Sequence, residues 1–166
     1  MVKINTTHAL LAGGYDEHVQ GYATSAAYIF SNDQGFVRVG DMNQPREHAA
    51  CGLHGTSYVI MAGGQGSGSG SGSAQLTSEY FSLDDMRWHQ GPAIGKDVGK
   101  DPGVSGGKIV STENETFLFG QFQLFQLDTD ADEWKWVVVR ELLNYRKFYD
   151  AFLMPSFNCR GDTGRG

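Results

Sequence analysis

The chain has 166 residues, 40% of them hydrophobic and 19% charged, and its formal net charge is −6. Since about 150 residues make an ordinary domain, we expect one domain with enough apolar side chains for a core. The acidic balance makes nucleic acid a poor partner, and no apolar run approaches the roughly 18 residues of a transmembrane helix. Residues 1–7 lack the apolar segment of a secretory signal, which favours the cytoplasm if Met1 is the natural start.

The first pattern in the chain is a glycine pair that ends an apolar run and recurs about 50 residues later. Gly13 and Gly14 follow the run at 9–12, and Gly63 and Gly64 follow the run at 57–62. A period near ~50 residues is typical of repeat architectures, in which one unit cannot bury its apolar face alone. Glycine accounts for 23 of the 166 residues and often falls between short apolar runs, as an all-β chain requires.

The first two repeat units are predicted at 1–46 and 47–95. The first holds strands two to four of a four-stranded unit, at 9–12, 23–30 and 36–39, with Tyr28 in the third strand and Phe36 opening the fourth. The second has strands at 48–53, 57–62 and 76–83, with Tyr80 in the third and Trp88 opening the fourth. A Gly/Ser run at 66–73, of natural or engineered origin, forms a flexible loop in the second unit.

The third unit, at 104–140, is degenerate because only Gly120 remains of the glycine pair. Its strands are predicted at 107–111, 116–120 and 122–127, with Phe125 in the third and Trp134 opening the fourth. Residues 140–150 are predicted as a short helix or a loop, 151–159 as the first strand of a further unit, and 160–166 as a flexible tail.

The units have four strands, a glycine pair after the second strand, an aromatic in the third and a Trp opening the fourth, and this pattern resembles the kelch repeat. The residues that carry the resemblance are Gly13, Gly14, Tyr28, Phe36, Arg46, Tyr58, Gly63, Gly64, Tyr80, Trp88, Gly120, Phe125 and Trp134. The resemblance implies an all-β fold, a partial β-propeller of about three four-stranded kelch-type blades. Such a propeller stays open unless further blades or a second copy complete it.

The resemblance also implies structural roles for these residues. The glycines permit a tight turn and the close approach of a neighbouring blade. The aromatic rings fill the space between blades, and burying each contributes about 2–3 kcal/mol. Arg46 and His48 are the polar residues most suggestive of a site, but an Arg at this place in kelch repeats makes inter-blade hydrogen bonds. We therefore favour structural roles for both.

The function that the resemblance implies is non-catalytic protein–protein interaction or scaffolding, as in a cytoskeletal (actin-crosslinking) protein or an adaptor. Propellers bind through loops, so we expect a protein partner at 15–21, 41–47, 91–104 and 142–150. One alternative is part of a galactose-oxidase-like or sugar-modifying propeller enzyme. Another is a secreted adhesive protein, which glycan at Asn5 or Asn114 would favour.

The remaining signals predict neither a cofactor nor a metal site. Cys51 and Cys159 have no metal-ligand spacing and are interpreted as free thiols. The acidic residues at 128–133 begin like a calcium loop, but Glu133 stands where that loop needs glycine, so we interpret them as a hairpin turn. The integrin-like tripeptide at 160–162 is interpreted as a chance match.

Overall fold

A computed structural model describes residues 1–16, 18, 23–66, 74–95, 104–112, 114–130 and 133–142. Within them the chain forms twelve β-strands and no helix, which confirms the all-β prediction. The strands are β1 (Val2–Lys3), β2 (His8–Ala12), β3 (Ala27–Ser31), β4 (Gly35–Val39), β5 (Ala50–His54), β6 (Tyr58–Ala62), β7 (Thr77–Ser82), β8 (Arg87–Ala93), β9 (Lys108–Ser111), β10 (Thr116–Phe119), β11 (Gln123–Asp128) and β12 (Lys135–Glu141). They form three antiparallel four-stranded sheets: sheet 1 (β1–β4), sheet 2 (β5–β8) and sheet 3 (β9–β12).

Each sheet is a meander, in which strands that follow one another in the chain are hydrogen-bonded neighbours. Tight polar turns make this possible: in the β3–β4 turn the Ser31 hydroxyl accepts the Gln34 N–H at 3.2 Å. Successive side chains of a strand point to opposite faces, and β11 accordingly alternates between buried and half-buried residues. In β6, by contrast, four consecutive residues are buried. Sheet 2 lies between the other two sheets, so both of its faces are covered.

Two apolar clusters hold the sheets together. Val2 and Leu10 of sheet 1 pack against Val59 and Phe81 of sheet 2. On the other face of sheet 2, a second cluster joins it to sheet 3 and includes Ala50, Ile60, Ala62, Leu118, Phe125, Leu127 and Trp136. Fully burying a side chain such as Phe81 contributes about 1.5–3 kcal/mol. Strand β5 contacts β1 on one side and β9 on the other, so the first strands of the three sheets are neighbours and the arrangement is blade-like.

Sheet 1 differs from the sequence prediction, which gave its unit only strands two to four. The structure adds β1, in which Val2 pairs with Leu10. The turn between β1 and β2 is closed by Asn5, whose side-chain oxygen accepts hydrogen bonds from the N–H groups of Thr7 and His8 at 2.9 and 2.8 Å. A two-residue strand followed by a polar turn has no visible alternation, because a period of two needs several residues to appear.

Several predicted features lie outside the described residues. They are the strand at 151–159, the tail at 160–166 with its integrin-like tripeptide, Cys159, and most of the Gly/Ser run, at 67–73. Among the residues that are described, no helix is long and apolar enough to cross a membrane.

Candidate functional site

Both glycine pairs lie where the chain leaves the second strand of a sheet and meets the segment that enters the next sheet. Gly13 and Gly63 have φ values of +64° and +68°, in the left-handed region that favours glycine. A Cβ atom on Gly63 would lie 2.6 Å from Cγ2 of Val104, well inside the ~3.5–4.0 Å at which carbon atoms pack. In the first pair, the Gly14 N–H donates to the Arg46 carbonyl at 2.7 Å. The pairs therefore permit contact between consecutive sheets.

Arg46 and Glu79 form a buried ion pair beside the second glycine pair. Both side chains have 0% exposure, and Nε of Arg46 lies 3.0 Å from Oε1 of Glu79. The Arg46 Nη1 group donates to the carbonyls of Gly63 at 2.8 Å and Thr77 at 3.0 Å, and its Nη2 group donates to the Thr77 hydroxyl at 2.7 Å. Burial lowers the pKa of Arg46, and the charge and hydrogen bond of Glu79 oppose that shift.

The backbone of Arg46 faces sheet 1, although its side chain bonds to sheet 2. Its N–H donates to the Thr24 carbonyl at 3.1 Å and its carbonyl accepts from Gly14. Arg46 therefore connects two sheets: its backbone bonds to sheet 1, and its side chain bonds to Gly63, Thr77 and Glu79, with one further bond to Gln44 of its own loop. His48, the second polar candidate, has a φ of +53°, and its carbonyl accepts the Gly106 N–H at 2.7 Å. This contact joins the entry of sheet 2 to the entry of sheet 3.

Hydrogen bonds next to the glycines define equivalent positions in the three sheets. The N–H groups of Gly13, Gly63 and Gly120 donate to the carbonyls of Ala26, Thr77 and Gln123 at 3.0, 3.0 and 2.9 Å. Gly120 therefore stands at the place of the first glycine in each pair, and positions along the third strands can be counted from these bonds.

Counted in this way, the predicted third-strand aromatics do not share one position. Tyr28 and Phe125 are equivalent, but Tyr80 lies one residue further along its strand and faces the opposite side of the sheet. The place of Tyr28 is taken in sheet 2 by Glu79. The prediction aligned Tyr80 with Tyr28 wrongly because the turn after the third strand differs in length. It has four residues after Ser82 in sheet 2 but only three in sheet 1. The equal spacing from Tyr28 and from Tyr80 to the next aromatic was therefore misleading.

Trp136 is the structural counterpart of Trp88, whereas Trp134 lies in the turn before β12. Trp88 stands opposite Phe81 and Trp136 stands opposite Leu127, at equivalent places. Trp136 donates its Nε1–H to the Ser78 hydroxyl at 3.2 Å. The buried Nε1–H of Trp88 has no hydrogen-bond partner among the described residues. Phe36 occupies the same place in sheet 1, opposite Phe30.

An aromatic cluster formed by His54, Tyr58, Tyr80 and Trp134 lies between sheets 2 and 3. The Trp134 ring centroid is 5.3 Å from those of His54 and Tyr58 and 5.0 Å from that of Tyr80. Nδ1 of His54 lies 2.8 Å from the Thr116 hydroxyl of sheet 3. Burial lowers the pKa of His54, and it raises the pKa of Tyr80, with further contributions from Tyr58 and Asp85. Both shifts favour the neutral form of the side chain.

The two outer faces of the assembly carry apolar side chains. On sheet 1 they are Leu11, Tyr28, Phe30 and Phe36, and on sheet 3 they are Val110, Phe117, Leu124 and Val137. Phe36 is 59% exposed and Val137 is 41% exposed. The centroids of Phe30 and Phe36 are 5.0 Å apart. We call these two surfaces the end faces.

The predicted loop surface is described only in part. Tyr15 is 63% exposed, but most of 15–21 lies outside the described residues, as do most of 91–104 and of 142–150. The loop at 41–47 is described, and it contributes the buried Arg46 and the exposed ion pair between Asp41 and Arg38, 3.0 Å apart.

The candidate residues that sequence reasoning missed are Glu79, Ser78 and Trp136. A buried carboxylate such as Glu79 needs a cation beside it, but its strand reads TSEYFS and is largely polar, so the local sequence did not mark Glu79 as buried. The described residues include no group of three or more His, Cys, Asp or Glu side chains arranged to hold a metal ion. Comparisons with models of protein families and with curated proteins gave no match to this chain.

Proposed function

We propose that the protein is a kelch-type β-propeller segment that acts non-catalytically, through protein–protein interaction or scaffolding. The observation that carries this proposal is the pair of exposed apolar end faces. Monomeric proteins rarely expose large contiguous apolar patches, and those that occur often mark protein interaction sites. The kelch-like glycine pairs and the three blade-like sheets support the same interpretation.

The end faces repeat the positions by which the sheets pack on one another. In sheet 2, Trp88 lies against the cluster shared with sheet 1, whereas its equivalent Phe36 is exposed. At the opposite end, Leu124 takes the place of Ser78, the residue that accepts the hydrogen bond of Trp136. The end face of sheet 3 is therefore equivalent to the side of a sheet that packs over a Trp88-like face. The end face of sheet 1 is equivalent to the Trp88-like face itself, which a neighbouring sheet covers.

A second copy of the chain provides a matching surface for both end faces. A contact between unlike faces closes into a ring when the rotation allows it and otherwise continues into a chain of molecules. Three blades in each of two copies would make a six-bladed ring, within the range of about 4 to 8 blades that propellers use. A protein partner at the loops is a further part of the proposal.

Sedimentation equilibrium of the purified chain tests the proposal. We expect the mass to rise with concentration from 18.1 kDa towards a multiple of that value. Phe36→Asp places a charge on the end face of sheet 1 and should shift the chain to the monomer. Met86→Asp is the matched control, because Met86 is 45% exposed in the β7–β8 turn, away from both end faces. A chain that stays monomeric at all concentrations, or an equal effect of both variants, would contradict the proposal.

A further inference from the structure

A cavity of about 470 Å³ opens between sheets 2 and 3, beside β8 and the turn before β12. The described residues that line it are Tyr80, Gln90, Gly91, Pro92, Glu133 and Trp134. The volume lies within the ~300–1,000 Å³ typical of small-ligand sites. One side chain of a partner protein is small enough to enter it.

Two aromatic rings, together with Pro92, supply the apolar part of the lining. The centroids of Tyr80 and Trp134 are 5.0 Å apart, with an angle of 37° between the ring planes. Tyr58 contacts Trp134 edge-on at 5.3 Å, and His89 stacks on Tyr80 at 5.1 Å. These contacts hold both rings in place before any ligand binds, which reduces the entropy lost on binding. The faces of aromatic rings attract cations, and Trp attracts them most strongly.

Two polar side chains of the lining, Gln90 and Glu133, offer hydrogen-bond acceptors. The side-chain amide of Gln90 donates to the carbonyls of Ser78 and Gly91, each at 3.2 Å. Both of its hydrogens are then used, and its Oε1 atom remains as an acceptor. Glu133 is exposed, and within the described part of the chain its carboxylate makes no ion pair or hydrogen bond. Among the described residues, the lining includes no lysine or arginine.

We propose that this cavity binds the cationic side chain of an arginine or lysine residue from a protein partner. The cation lies against the rings of Tyr80 and Trp134, while the Glu133 carboxylate neutralises its charge. The net charge of −6 attracts a basic segment over a longer range. The inference rests on the proposed function only in that the side chain belongs to a partner protein.

The test is an NMR titration of the ¹⁵N-labelled full chain with the tripeptide acetyl-Gly-Arg-Gly-amide. The indole N–H signal of Trp134, assigned from the Trp134→Phe spectrum, reports binding at the cavity. We expect a saturable shift with a dissociation constant on the order of 1 mM. The same tripeptide with citrulline, the neutral analogue of arginine, should bind at least about fivefold more weakly, since the attraction to the rings needs the charge.

A matched pair of variants separates the role of Glu133 from general electrostatics. Glu133→Gln should weaken binding of the arginine tripeptide about two- to fivefold, as expected for an exposed ion pair. Glu141→Gln removes an exposed carboxylate at the end of β12, outside the cavity, and should leave binding unchanged. Salt should weaken binding to the unmodified chain more than binding to Glu133→Gln.

Four results would overturn the inference: no saturable shift of Trp134, equal binding of the arginine and citrulline tripeptides, equal effects of the two variants, or a shift with methyl glucoside but none with the arginine tripeptide. The last result would mark the cavity as a sugar site. If the tripeptide fails to bind while the chain still self-associates, this inference alone is refuted. A chain that binds the tripeptide but stays monomeric refutes the proposed function alone.

Discussion

The buried ion pair between Arg46 and Glu79 predicts a large loss of stability when either partner is removed. Arg46→Met leaves the Glu79 carboxylate in a fully buried site without its cation. The guanidinium also donates to two carbonyl groups and two side-chain oxygens, at 2.7 to 3.4 Å. Removing one partner of a buried pair costs about 3–5 kcal/mol, and a domain is stable by only ~5–15 kcal/mol. We expect Arg46→Met to lower the free energy of unfolding by about 3–5 kcal/mol.

The reciprocal variant, Glu79→Leu, should cost a similar amount. It leaves the Arg46 cation unpaired and removes the acceptor of the backbone N–H groups of Asn43 and Gln44, which lie 2.5 and 3.2 Å from the carboxylate. The double variant contains neither buried charge. Residues in direct contact commonly show coupling of about 0.5–3 kcal/mol, and for this pair we expect the upper part of that range, about 2–3 kcal/mol.

The assay is urea denaturation at pH 7 and low micromolar concentration, followed in parallel by tryptophan fluorescence and circular dichroism and extrapolated linearly to water. Arg38→Met is the matched control, because Arg38 pairs with Asp41 at 3.0 Å on the exposed surface. Exposed pairs contribute about 0–1 kcal/mol, so this variant should change little. A loss below about 1 kcal/mol for Arg46→Met, or single losses that simply add, would refute the reasoning.

Three further predictions concern the contacts between sheets. Gly63→Ala should cost about 2–4 kcal/mol and Gly35→Ala only about 1–2 kcal/mol, since both have a φ of +68° but only the first is crowded; equal losses in urea denaturation would contradict this. Trp136→Phe should cost about 1–2 kcal/mol more than Trp88→Phe, because it alone loses a hydrogen bond; the reverse order would be inconsistent. The pKa of His54 in the folded chain lies below its ordinary value of 6.5. The contribution of neutral His54 to the free energy of unfolding should therefore be fully present above pH 6.5 and should fall as the pH drops below 6.5. His54→Gln should flatten this pH dependence, and an unchanged slope would contradict it.

The sequence predicts the strands of sheet 2 to within about two residues, since glycine and polar turns bound runs of β-forming residues there. Strand β6, for example, was predicted at 57–62 and spans Tyr58–Ala62. The prediction fails for β1, where Val2 and Lys3 are too few residues to show a period of two. Local patterns therefore identify strands of five or six residues, but they miss a strand that has only two residues.

The register and the pairing of charges were beyond local patterns. The extra residue in the β7–β8 turn moves Tyr80 to the opposite face from Tyr28, and a shift of one residue always has this effect in a strand. Arg46 was predicted to be structural, but its partner Glu79 lies 33 residues further along the chain, in β7. Such a pairing is decided by the packing of β7 against the loop at 41–47, and that packing leaves no mark in the local sequence.

Cross-linking between the two end faces tests the central claim most directly. One copy carries Phe36→Cys and the other Leu124→Cys, both in a background with Cys51 and Cys159 replaced by alanine. Because the equivalents of these positions, Trp136 and Ser78, are in contact inside the chain, a short bis-maleimide should link the mixed copies into a species of doubled mass. Met86→Cys in place of Phe36→Cys should give little product. No cross-link in the mixture, or an equal yield with Met86→Cys, would contradict the pairing of the end faces.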